Sequence, residues 1–291
     1  MLRIEIHNQE FNIHQDVNQL SRKTLVKIAD MTLQRLDESR FKLYAFLALL
    51  EQDNSRWKIF KLKCQTKYPI DFINTKFGRF VSKFIHIKVL NLTNPDNAEF
   101  INSITDFFFS RRNDVVRNPI PRIYFRSKLG FFSGPSDYAE SFTFGQFWQS
   151  KVAFLEYQEN PSADRFQAFI TILYPRFRLW FFRLSETKSL HFWRFVKLSP
   201  AEQQVILWYY SGVLDMLISE FPNVFQKSKS KTINVAQYQE SWLDILDTIA
   251  GSPKEYDNFN DLNVRYVLRH LDKTIRENRE QKEYLEAQRK K

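Results

Sequence analysis

Apolar and polar residues alternate over the first fourteen positions, with Leu2, Ile4 and Ile6, then Phe11 and Ile13, set between charged and amide side chains. A period of two belongs to a strand with one buried face, and its interruption near Asn8-Gln9 predicts a two-stranded hairpin. From Leu20 the spacing lengthens. Leu25, Ile28, Ala29, Thr32 and Leu36 fall on one helical face, and Phe41 to Leu50 reads as a second, more apolar helix. Arg56 to Cys64 sets Trp57, Ile59, Phe60 and Leu62 among lysines. That pattern fits either a short strand or a helix whose lysine stems lie along apolar surface. Pro69 to Leu92 and Pro95 to Arg111 read as helices, the second closing on Arg111-Arg112, where cations suit the negative helix end.

Prolines then change the character of the chain. In Asn118-Pro119-Ile120-Pro121 each proline pushes the residue before it out of the helical region, and Phe132-Ser133-Gly134-Pro135-Ser136-Asp137 is dense in turn formers. The expected organisation is a hairpin plus helical part over residues 1–117, an extended connector over 118–142 and a C-terminal helical part over 143–291. Thr143-Phe144-Gly145-Gln146 has the form of a capping box and predicts a helix to Gln158. Ser199-Pro200-Ala201-Glu202 is a fuller version, with a Ser cap, Pro at the first helical position and Glu three residues after the cap, starting a helix to Glu220. The apolar stretches Ala168 to Phe182 and Val205 to Ile218 read as buried helices. Lys227 to Thr232 is a polar loop, and Gln237 to Ala250 and Leu262 to Gln288 finish the chain as helices. The fold class expected is mainly α, an N-terminal β-hairpin followed by a multi-helix body. Thr24 to Leu50 and Thr143 to Tyr174 both run from a Thr-led helix into an Arg-Phe helix. Two similar helical halves therefore stand as an alternative to two unrelated amphipathic pairs.

Composition supports the helical reading, because 29 Phe against 6 Gly and 10 Pro leaves few formers for the many tight turns of an all-β fold. Cys64 stands alone, and charges in MLRIEIHNQEF occupy the place where a signal peptide needs an apolar run, so the expected location is cytoplasmic. Arg176, Arg178 and Asp215 interrupt the apolar stretches, which fall short of the ~20 residues that span a bilayer, and no membrane partner is expected. The net charge of +10 is unevenly spread. Arg56 to Lys88 holds nine Lys or Arg against Asp71 alone, whereas Ala201 to Ala250 holds three basic and six acidic residues.

The chemistry-bearing residues do not assemble into an active site, and neither an enzyme nor a cofactor is expected. Five histidines (His7, His14, His86, His191, His270) are scattered, and only His7 and His14 are near neighbours, on a ribbon surface. Ser185-Glu186-Thr187-Lys188 and Ser228-Lys229-Ser230-Lys231 have the Ser-x-x-Lys form, but an exposed lysine keeps its proton and serves poorly as a base. No phosphate-cradling glycine loop is present.

Two groups of residues are candidates for meeting partners. Consecutive rings point in different directions, so such a cluster is buried on several sides or presents a ring to a partner, which makes Phe131, Phe132, Trp180 and Phe181 candidate partner-binding aromatics. Basic residues interleaved with rings make Arg111, Arg112, Arg122 and Arg126 candidates for holding a polyanion. Amphipathic elements that bury Phe and turn cations outward account for the same pattern.

The motifs Asn118-Pro119-Ile120-Pro121, Phe132-Ser133-Gly134-Pro135-Ser136-Asp137, Thr143-Phe144-Gly145-Gln146-Phe147, Ile172-Leu173-Tyr174-Pro175, Tyr209-Tyr210-Ser211-Gly212 and Phe221-Pro222-Asn223-Val224-Phe225 follow one another in that order. Together they resemble a family of proteins carried by tailed phages and prophages of Bacteroidota. The resemblance implies a role in virion morphogenesis, with tail assembly chaperones of the tape measure protein as the nearest analogy. Its expected partners are other phage tail proteins, in the host cytoplasm or the virion. The alternatives are a permanent virion component, such as a connector or tail tip, and a nucleic-acid-binding accessory protein. The oligomeric state stays open.

Overall fold

The computed structural model describes residues 2–6, 9–14, 16–34, 36, 38–65, 95–111, 114–124, 130–179, 196, 198–225, 242, 245 and 255–289. The chain is mainly helical, with an N-terminal antiparallel hairpin leading into a multi-helix body, as the hydrophobic pattern predicts. It divides into two units, Met1–Val115 with Leu198–Gly212, and Val116–Lys197 with Val213–Lys291.

In the first unit β1 (Leu2–Ile6) pairs with β2 (Gln9–Ile13), Leu2 opposite Ile13 and Ile4 opposite Phe11. Ile4, Phe11 and Ile13 are buried while Arg3, Glu5 and Glu10 are exposed, the split that a period of two demands. The Asn54 amide ties the ribbon down. Its oxygen accepts from the Asn12 N–H at 3.0 Å, and its nitrogen donates to the Asn12 and Leu50 carbonyls at 2.9 and 2.8 Å. Ser21 caps α1 (Arg22–Leu33) by accepting from the Thr24 N–H. In α2 (Glu38–Leu50) the run Ala45 to Leu50 is buried without interruption, so this helix forms the centre against which α1, α3 (Arg56–Gln65), α4 (Pro95–Ser110) and β2 pack. Arg56 to Cys64 thus takes the helical alternative, with Ile59 and Leu62 buried and Trp57 61% exposed. The helix expected over Pro69 to Leu92 lies outside the described residues.

Charge finishes this unit. On α2, Lys42 binds Glu38 at 2.8 Å and Asp106 of α4 at 3.3 Å. The Glu38 bond chiefly, with Asp106, raises its proton affinity against the opposing effect of burial. The Ser199 box forms at the start of α7 (Pro200–Glu220): the Glu202 N–H donates to Ser199 Oγ, and the Ser199 N–H donates to Glu202 Oε2 at 2.9 Å. Arg22 also reaches Glu202. Burial disfavours the Glu202 charge most, but the Ser199 N–H, the Arg22 guanidinium and the Ser199 hydroxyl outweigh it and hold the carboxyl below its ordinary value.

The second unit opens on residues 118–142, which carry extended backbone, two strands and a tight turn. Asn118 Nδ2 donates to the Pro135 carbonyl at 2.7 Å, and the Asn118 N–H donates to Asp137 Oδ1 at 2.9 Å, so one side chain from each flank closes the segment on itself. Strands β3 (Arg122–Tyr124), β4 (Gly130–Ser133) and β5 (Arg176–Leu179) form an antiparallel sheet in the order β3-β4-β5. The Tyr174 ring, fully buried, donates its hydroxyl to the Ile120 carbonyl at 2.8 Å beside this sheet. A Cβ at position 134 would stand 2.3 Å from that ring, so Gly134 is required by the close approach.

Strand β5 corrects the reading of Ala168 to Phe182 as one buried helix. The helix α6 (Ala163–Leu173) ends at Tyr174, whose φ of −121° and ψ of 63° lie outside the helical region, as expected before Pro175. Beyond that proline the chain runs as a strand. Before it, Thr143 caps α5 (Phe144–Glu159) in the expected box with Gln146. Phe144, Phe147, Phe225 and Trp242 meet as a ring cluster, with the Phe147–Trp242 centroids 5.5 Å apart. The helices α5 and α6 pack together, and α8 (Tyr256–Asn260) and α9 (Val264–Arg289) pack on α5. Val264, Val267, Leu268 and Leu271 anchor α9, whereas every residue from Arg276 to Gln288 is exposed. The loop Lys227 to Thr232 lies outside the described residues, as does the helix expected over Gln237 to Ala250 except for Trp242 and Ile245.

Candidate functional site

Alternation in the short strands sorts their residues between two faces. Register places Arg122 opposite Ser133 and Ser133 opposite Arg176, then Tyr124 opposite Phe131 and Phe131 opposite Arg178. Directly paired residues share a face of a sheet, as do residues two apart on one strand. Six positions therefore form one face in two rows, Arg122-Ser133-Arg176 and Tyr124-Phe131-Arg178. The residues between them, Ile123 and Phe132, are 2% and 0% exposed and belong to the core. On the other side Arg122 is exposed, Tyr124 is 46% exposed, and Phe131 and Ser133 are half-buried.

The outer residues touch one another. The Arg122 guanidinium carbon lies 5.0 Å from the Phe131 ring centroid, within the range in which a ring face attracts a cation. The Tyr124 and Phe131 centroids are 5.6 Å apart with planes inclined at 51°. A cation at the Arg122 distance from a ring face is held in place by the ring quadrupole. No carboxylate occupies any of the six positions. The arrangement offers an anionic group the Arg122 guanidinium and an apolar group two rings, and it pairs no nucleophile with a base among the described side chains.

The sequence candidates divide on this geometry. Phe131 and Arg122 meet on the outer face, whereas Phe132, one residue on, faces inward at 0% exposure. Arg111 is exposed at the end of α4, in the first unit. Arg112, Arg126, Trp180 and Phe181 lie outside the described residues. Tyr124 stands beside Arg122 in the ring-and-cation segment Arg111 to Lys128, whereas Ser133, Arg176 and Arg178 were not connected with it by sequence. The available signal was a repeated form, in which Pro121 and Pro175 are each followed by Arg, an apolar residue and a second large polar side chain.

Other chemistry-bearing groups are engaged locally. His14 binds Asp53 through Nε2 and Gln19 through Nδ1, each at 2.8 Å. Burial lowers the proton affinity of Lys151, against the opposing charge of Asp215, and its ammonium lies 5.8 Å from the Phe154 ring centroid. Both Ser-x-x-Lys segments and His7 lie outside the described residues. Among the described residues no group of three or more His, Cys, Asp or Glu could hold a metal, and no helix is long and apolar enough to cross a membrane.

No family model matches this chain, and neither curated proteins nor solved structures show a significant similarity to it.

Proposed function

We propose that the protein acts by binding, as a tail assembly chaperone that holds the tape measure protein of a tailed phage in the host cytoplasm. The observation that supports this best is the outer face of the β3-β4-β5 sheet, where Arg122, Tyr124 and Phe131 are in contact and at least partly exposed. Tyrosine and arginine are the residue types that concentrate binding energy at protein interfaces. The resemblance of the ordered motifs to proteins of tailed phages supplies the setting. A tape measure protein must be kept from self-association before tube subunits enclose it, and a surface of rings with a charged rim suits apolar helix faces.

Comparing the protein content of infected-cell lysate with that of purified particles tests the proposal. The expected result is co-purification with the tape measure protein from lysate and absence from finished particles. Stoichiometric copies in particles would overturn it in favour of a permanent connector or tail-tip component.

A further inference from the structure

We propose that α9 joins a second copy of this chain through its solvent face, the two helices running antiparallel about a two-fold axis at Ile275. The first observation is where the exposed rings stand. Tyr266 and Tyr284 are 68% and 64% exposed, more than any other large apolar side chain among the described residues. They are 18 residues apart on one helix, which at 3.6 residues per turn is five full turns. Both rings therefore lie on one line about 27 Å long. Between them that line carries His270, Lys273, Glu277 and Glu280, all exposed. The six positions are separated by four, three, four, three and four residues, the spacing of a seam at which two helices meet.

Charge says which helix fits. The stripe carries His270 and Lys273 in its first half and Glu277 and Glu280 in its second. Its members stand in pairs equally far from Ile275: Tyr266 and Tyr284 at nine residues, His270 and Glu280 at five, Lys273 and Glu277 at two. An antiparallel copy therefore sets Tyr266 against Tyr284, His270 against Glu280 and Lys273 against Glu277. Each contact is made twice, as the self-complementary surface of a two-fold dimer requires. On one flank Arg269 comes level with Glu283 of the copy, while Arg276 lies beside its own counterpart near the axis, where both stay exposed and are screened by salt. A parallel copy would set Lys273 against Lys273 and Glu277 against Glu277, so charge selects the antiparallel arrangement. Within the chain the Lys273–Glu277 pair at 3.7 Å leaves its side chains 64% and 58% exposed, open to a partner. A polar seam favours one register over tight binding, and the dimer is accordingly weak and salt-sensitive.

The test measures the mass of the full chain by sedimentation over about a hundredfold range of concentration. At low salt the mass should climb toward twice that of a single chain, and salt near 1 M, where the Debye length is about 3 Å, should reverse the climb. Lys273→Glu sets carboxylate against carboxylate at two places, and Glu277→Lys sets ammonium against ammonium. Each alone should weaken association about tenfold or more. An equimolar mixture of the two variants restores an opposite pair at both places and should dimerise as the unaltered chain does. Circular dichroism checks that the variants fold, and Tyr284→Ser, an uncharged change at the far end of the stripe, should weaken association independently of them. A chain that stays monomeric at every concentration overturns the proposal. So does a dimer that none of these variants weakens, or one that the mixture fails to restore. A monomer whose Lys273→Glu variant loses co-purification with the tape measure protein overturns it as well, and gives the stripe to that protein.

Discussion

The inner and outer faces of the β3-β4-β5 sheet are built from the same few residues of chain and differ by a single step along it. Ile123 and Phe132 are sealed in the core, while Arg122, Tyr124, Phe131 and Ser133 line the opposite side. The inner positions are filled by side chains that gain from leaving water and touch protein on every side. The outer positions carry a guanidinium and rings that contact one another and stay at least partly exposed. Stability and the proposed recognition are therefore interleaved in sequence and should be separable by substitution, residue by residue.

The sharpest way to break that contrast is to empty the inner face. Phe132→Ala removes a ring that is 0% exposed and should cost about 3–5 kcal/mol, read as a lowered urea midpoint by circular dichroism. A smaller effect is expected beside the sheet. Tyr174→Phe keeps the ring and strands the Ile120 carbonyl, its partner at 2.8 Å, which should cost about 1–3 kcal/mol in the same assay. The smallest belongs to the outer face. Arg122→Gln loses one cation–ring contact at an exposed site and should cost no more than about 0.5–1 kcal/mol. An Arg122→Gln cost equal to that of Phe132→Ala would mean that the outer face is structural, and the contrast would fail.

Much of the helical framework was legible because caps leave local signatures. Thr143 with Gln146 and Ser199 with Glu202 each satisfy backbone N–H groups within three residues, so the chemistry and the sequence pattern coincide. The hairpin was legible for a similar reason, with five residues in each strand to display the period. The second sheet was not. Its strands are three or four residues long, too short for alternation to stand out, and their pairing joins Phe131 to Arg178 across more than forty positions. For the same reason the doublet Phe131-Phe132 could be read as exposed rings but not split between two faces until the strand was known. Arg122 was recognisable from its neighbours in sequence, whereas Arg176 and Arg178 acquire their place only through β5.

The outer half of α9 has a consequence for how the chain comes apart. Among the described residues nothing apolar holds Arg276 to Gln288 to the body, and even Tyr284 and Leu285 are 64% and 48% exposed. A helix that is polar all round depends on bonds within itself, such as Lys273–Glu277 at 3.7 Å and Gln288–Tyr284 at 2.7 Å. The spacing of Arg276 and Glu280, Arg279 and Glu283, and Lys282 and Glu286 repeats the first of these. Such pairs are weak one by one and are screened by salt. The peptide amides of this stretch therefore exchange their hydrogens by local fraying, on an equilibrium that ionic strength adjusts, while those near Val267 and Leu271 wait for the larger opening of the unit that buries them.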